Sequence, residues 1–117
     1  MIPNRHATRA YQAASEHRSL RDQEADVFRR ATSALRMARD SGPLPRARTI
    51  ADNARLWMLV TSLIQDPANQ LPKPLRAQIA SIGAAVQREL DAPEPDFDFV
   101  IGINEHIAAG LSGAPLP

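Results

Sequence analysis

The chain of 117 residues contains no cysteine. That excludes disulfide frameworks, thiolate metal sites and cysteine nucleophiles together, and it suits a reducing compartment such as a bacterial cytosol. Aromatic residues are scarce, at 4%, which counts against a β-sandwich or barrel, where aromatic and β-branched side chains concentrate. Long apolar runs are also missing. The longest, Leu56 to Ile64, covers nine residues and includes Thr61 and Ser62, whereas a transmembrane helix needs about 20. The opening residues, MIPNRHATRAYQ, lack the apolar stretch of a secretory signal. The expectation is therefore a cytoplasmic protein with no membrane partner. Lysine is nearly absent: Lys73 is the one lysine among fourteen basic residues, beside twenty alanines, a bias expected of a GC-rich coding genome.

What is present fits one small domain. Apolar residues make up 44% and charged residues 23%, ordinary values for a globular protein. A chain of this size buries about two-thirds of its unfolded surface, enough to fold alone. The net charge of +1 conceals a division. Residues 1–48 carry ten arginines against five acids, and residues 49–117 carry three arginines and one lysine against eight acids. The acids concentrate in Glu89, Asp91, Glu94, Asp96, Asp98 and Glu105. The Arg-rich part and the acidic part are expected to be each other's partners, within the chain or across a dimer.

Glycine and proline cut the sequence into helix-length pieces, and apolar periodicity within them is helical. A short Ala-rich segment at 7–15, with Tyr11, is a first helix. A second runs over about 19–40, capped by Ser19, with Leu20, Val27, Phe28, Ala31, Ala34, Leu35 and Ala38 on one face and Glu24 at its centre. Gly42-Pro43 stops it and Pro45 keeps the connection extended. A third helix, about 47–66, has one face of Ile50, Ala54, Trp57, Thr61 and Ile64 and a second of Leu56, Leu59 and Leu63. A helix that is apolar nearly all round is normally surrounded by protein. A fourth, about 72–91, carries the stripe Leu75, Ile79, Ile82, Val86 and Leu90; a fifth, about 96–111, carries Phe97, Val100, Asn104, Ile107, Ala108 and Leu111. No segment alternates with period two. The fold class is all-α: a single domain over 1–117, a small antiparallel bundle of four to five helices centred on the third, with flexible tails at 1–9 and 112–117.

Catalytic and cofactor patterns are missing: there is no Gly-rich phosphate loop, nucleophile elbow or HExxH. His6, His17 and His106 lie far apart and read as surface histidines, so neither a metal nor another cofactor is expected. Glu24 reads as a carboxylate that meets backbone N–H groups or an arginine, because burying it alone is expensive. With no second base beside it, an enzyme is not expected. Asn53 and Asn104 read as partners of loop or helix-end backbone groups, with direct partner contact as the alternative. Arg21, Arg29, Arg30, Arg36, Arg39, Arg46 and Arg48 could reach RNA phosphates. Asp26 with Arg30 and Arg36 with Asp40 have i,i+4 spacing, however, and few aromatics are at hand for stacking bases. Leu56, Leu59 and Leu63 admit two readings. Either neighbouring helices cover both faces of the third helix, or the second face lines a groove for an apolar helix from a partner.

Several elements, in order, resemble the FlaF family of flagellar biosynthesis regulators of alphaproteobacteria. They are Ala10-Tyr11-Gln12; Glu24 to Phe28-Arg29-Arg30 and Leu35; Asn53-Ala54-Arg55-Leu56-Trp57; Asn69-Gln70-Leu71-Pro72 with Leu75-Arg76-Ala77-Gln78-Ile79; and Ile103-Asn104-Glu105-His106-Ile107 with Gly110-Leu111. The N-terminal stretch 1–9 is longer than expected, and the acidic connector 92–98 is individual to this chain. The resemblance implies a non-enzymatic, chaperone-like protein that binds flagellin and supports its synthesis and export, acting alongside the regulator FlbT. On that basis Leu56, Trp57, Leu59, Leu63, Ile103, Asn104, Ile107 and Leu111 are the expected partner-binding residues. The alternatives are an RNA-binding regulator of flagellin mRNA and a homodimer joined through the apolar face.

Overall fold

The computed structural model describes residues 23–111. Within them the backbone forms four helices and no strand: α1 over 23–38, α2 over Pro43–Gln65, α3 over Lys73–Leu90 and α4 over Phe97–Leu111. The expected helix at 7–15, the Ser19 cap, Leu20 and both tails lie outside the described residues.

The connections are short, and the residues at the helix ends define them. Pro45 does not keep the connection extended, as the sequence suggested: α2 has already begun, with the extended Gly42 as its N-cap and Pro43 and Pro45 in its first turn. Proline is tolerated there because the N–H it lacks would have no intrahelical acceptor. Pro72 caps α3 in the same manner. Asp96 caps α4: its Oδ1 accepts the Phe99 N–H at 3.2 Å, while its own N–H donates to Glu89 Oε1 at 2.7 Å. In the α2–α3 loop, Asp66 Oδ1 accepts the Ala68 N–H and Asn69 Oδ1 accepts the Leu71 N–H, both at 2.9 Å. Asn69 Nδ2 also donates to the Leu63 carbonyl at the end of α2, at 2.9 Å. The polar side chains of this loop are thus used to fold it.

Helix α2 is central, as expected, and Trp57 is the reason. Its side chain is wholly buried and touches all three other helices. The Phe28 ring of α1 meets it edge-on, with centroids 5.7 Å apart and planes at 74°. Its indole N–H donates to Asn104 Oδ1 of α4 at 3.0 Å. Gly83 of α3 lies against the ring face: a Cβ there would sit 3.4 Å from Trp57 Cε3 and 3.2 Å from Thr61 Oγ1. A small residue lets the α3 backbone approach the indole closely. Leu35, Val86, Leu90, Phe97, Val100, Ile101 and Ala108 complete the core around it. Gln87 Nε2 pins α3 to the Ala54 carbonyl of α2 at 2.9 Å.

The buried stripe of α1 is Ala25, Phe28, Thr32, Leu35 and Ala38, rotated slightly from the face assigned in the sequence. Thr32 joins it because its hydroxyl donates to the Phe28 carbonyl at 2.6 Å, which removes the cost of an unpaired buried donor. Val27 and Glu24 fall outside the stripe and are exposed. Among the described residues, Glu24 therefore meets neither of its expected partners, and it lies at the surface.

The division of charge along the chain closes on itself. Arg36 pairs with Glu105 and Arg39 with Asp98, joining α1 to α4 within one molecule. The local i,i+4 pairs expected on α1 are replaced: Asp26 takes Arg29 at 2.9 Å, and Arg36 turns to Glu105. Arg46 donates to the Arg39 carbonyl at the end of α1, and its guanidinium stacks 4.5 Å from the Phe97 ring centroid. A cation at a helix C-terminus also complements the helix dipole.

Candidate functional site: an apolar groove beside the central helix

The spacing Asn53-x-x-x-Trp57 puts both side chains on one face of α2, where the interior is polar as well as aromatic. Asn104 Nδ2 donates to Asn53 Oδ1 at 2.9 Å, and Asn53 Nδ2 donates to the Thr49 carbonyl at 2.9 Å. With the indole bond, the order is Trp57, Asn104, Asn53, Thr49. Neither asparagine has any exposed surface. They do not serve loop or helix-end groups, as the sequence suggested; they pair with each other across α2 and α4. In a low-dielectric interior such a chain specifies one register between two helices, since a slip would orphan each member.

With Trp57 directed inward, the Leu face of α2 points elsewhere. Leu56, Leu59, Val60 and Leu63 border a groove of about 820 Å³. Leu59 and Leu63, one turn apart, are 60% and 61% exposed. Val27 and Glu24 of α1 form one flank, Ile107 and Leu111 of α4 another, and Ile79 with the loop residues Asn69, Gln70 and Leu71 close the end near α3. Among the described residues, no neighbouring helix covers Leu59 and Leu63, whereas Leu56 is partly buried against the core.

Of the eight residues expected to contact a partner, six line it: Leu56, Trp57, Leu59, Leu63, Ile107 and Leu111. Trp57 contributes to the floor but has no exposed surface, and Asn104 is equally buried. Their chemistry is spent on each other, so neither presents a surface to a partner. Ile103 is partly buried, packs against the core and does not border the groove. Val27, Leu71 and Ile79 are lining residues the sequence reading missed. Leu71 had a usable signal, being a large apolar side chain in an otherwise polar loop. Val27 had none, because one residue of rotation separates the core face of α1 from its groove face.

Electrostatically the groove is almost neutral. Glu24 is the sole charged residue among the described residues lining it. No described arginine lines it, and Arg29, Arg36, Arg39 and Arg46 are engaged by Asp26, Glu105, Asp98 and Phe97. His106 is exposed, and no cluster of three metal-ligating side chains exists among the described residues. No described helix is long and apolar enough to cross a membrane.

The family model for flagellar protein FlaF matches residues 7–111. The chain belongs to the FlaF family. That places it among flagellar proteins and agrees with the order of elements read along the sequence. No curated protein and no solved structure matches the chain, so the residues of this FlaF protein must be assigned from its own geometry.

Proposed function

We propose that this FlaF protein is a non-enzymatic, cytoplasmic flagellin-binding factor that shields helical segments of flagellin during synthesis and before export. The observation that carries the reading is the ridge of Leu59 and Leu63 in an open apolar groove. Residues at i and i+4 form the ridge that an incoming helix packs against, and helix-in-groove recognition uses apolar anchors at i, i+3/i+4 and i+7. Covering each leucine would contribute roughly 1–2 kcal/mol, a fraction of the value for burying a whole side chain. Flagellin's terminal segments, on the family resemblance, are amphipathic helices that polymerise with one another. A groove that occupies their apolar stripe would delay that, alongside FlbT acting on the message.

Co-purification with flagellin tests the reading. Leu59→Arg is expected to leave the thermal melting of the protein close to wild type, because the side chain is largely in water already, and to abolish flagellin retention. A variant that retains flagellin would sink the proposal.

The RNA-binding alternative is less well supported, because four of the seven candidate arginines have partners inside the molecule. It predicts retention of flagellin mRNA that falls steeply with salt and is lost on replacing Arg29 and Arg36. Light scattering of the pure protein tests the homodimer.

A further inference from the structure

The helix-in-groove reading leaves open how the groove would tell one amphipathic helix from another, since a purely apolar cleft accepts almost any. The polar groups on its border narrow the answer. Asn69 is already committed, with its amide donating to the Leu63 carbonyl and its oxygen accepting the Leu71 N–H. Gln70 is neutral and responds equally to either sign of charge. Glu24 remains: it is exposed, it borders the groove, and no cation among the described residues lies within ion-pair distance of it. Asp26, two residues on, is neutralised by Arg29 at 2.9 Å, so the two acids at the start of α1 differ in kind.

The position of Glu24 is also defined. The Asn53 amide reaches the Ala31 carbonyl at 3.4 Å, and Phe28 packs on Trp57, so α1 runs antiparallel to α2. One more turn back along α1 puts Glu24 beside the later turns of α2, towards Leu63 and the loop, and away from Leu56. Among the described residues that line the groove, the single charge therefore lies at one end.

We propose that Glu24 is a specificity-determining residue that selects helices carrying a lysine or arginine at one end of their apolar stripe and fixes the direction in which they lie. This rests on the groove being the docking site. A carboxylate at the edge of an apolar cleft attracts an ammonium or guanidinium group and repels another carboxylate, and rejection of the wrong sign discriminates as much as the attraction. The described arginines do not oppose that preference at close range: none lines the groove, and Arg29, Arg36 and Arg39 are balanced locally by Asp26, Glu105 and Asp98.

The test uses the full chain and three synthetic helical peptides with the same leucine stripe, differing only in Lys, Gln or Glu at the position following it. Wild type is expected to bind the Lys peptide about fivefold more tightly than the Glu peptide at low salt. The gap should shrink at about 0.5 M salt, where screening acts over a few ångströms. Glu24→Gln should erase the ranking and Glu24→Lys invert it, with unchanged melting of the free protein. A ranking that persists in both variants, or equal affinities in wild type, overturns the role of Glu24. Failure of all three peptides to bind overturns it too. In either case flagellin binding by Leu59→Arg decides the groove separately: its loss keeps the docking site, and its persistence removes that as well.

Discussion

Removing the amide of Asn104 is the most direct test of how the interior is held together. In Asn104→Ala, the Trp57 indole N–H loses its acceptor and Asn53 Oδ1 loses its donor, and both groups belong to side chains with no exposed surface. A buried polar group left unpaired costs about 1–3 kcal/mol, so two of them, with a small cavity added, should cost roughly 3–5 kcal/mol. Small domains have a total stability of about 5–15 kcal/mol, so the variant should fold with its urea midpoint sharply lowered. Asn53 keeps its bond to the Thr49 carbonyl, which holds its side chain in place and prevents it from turning to replace the lost donor. Coupling distinguishes this account from simple loss of packing. Trp57→Phe deletes the same N–H, so Asn104→Ala introduced into Trp57→Phe should cost about 1–2 kcal/mol less than in wild type. Urea titrations should be followed by far-UV circular dichroism, because Trp57 is the one tryptophan and half of the cycle lacks it. The slope with denaturant should stay constant, so that midpoints compare directly. An Asn104→Ala variant within about 1 kcal/mol of wild type, or strictly additive effects in the double variant, would refute the reasoning.

Three further outcomes follow from the packing. Gly83→Val should destabilise by roughly 1–3 kcal/mol, by overpacking against Trp57 and Thr61, whereas an equivalent change at Gly102, which has open space around it, should show only the propensity effect; thermal melts compare them. Reversing Arg36 to Glu or Glu105 to Arg should each cost up to about 1 kcal/mol at low salt, and the double reversal should recover most of it. Equal stability in all three charge-reversal variants at low salt would count against the α1–α4 pairing. Asp96→Ala should cost about 0.5–2 kcal/mol through loss of the α4 cap, with Asp96→Asn retaining most of the stability.

Local signals made the helices legible. Apolar periodicity located α3 and α4 to within one residue at each end, because Pro72 and Asp96 mark starts that tertiary contacts do not override. The uneven charge along the chain correctly foretold that α1 and α4 meet. The start of α2 was misread because two prolines next to a glycine signal a break and a helical first turn equally well. Polar residues in the interior were the main blind spot. Thr49, Asn53 and Asn104 are buried through bonds made across the fold or back to their own helix, and no hydrophobic pattern reports those. The groove was half legible. Leu56, Leu59 and Leu63 stood out on α2, but only the packing of α1, α3 and α4 on the Trp57 side could show that, among the described residues, Leu59 and Leu63 are left uncovered.

The bond between Asn53 and Asn104 joins residues 51 positions apart, and this has a consequence for biosynthesis. A ribosome releases α4 after the other described helices. While the nascent chain ends before residue 104, α1, α2 and α3 can already associate, yet the central indole N–H and Asn53 Oδ1 have only water to bond with, and the α4 share of the core is missing. Closing the interior therefore waits for α4 to emerge. A message cut short within α4 would yield a product with its central tryptophan hydrated and exposed to proteases, so quality control could tell chains that carry α4 from chains that lack it.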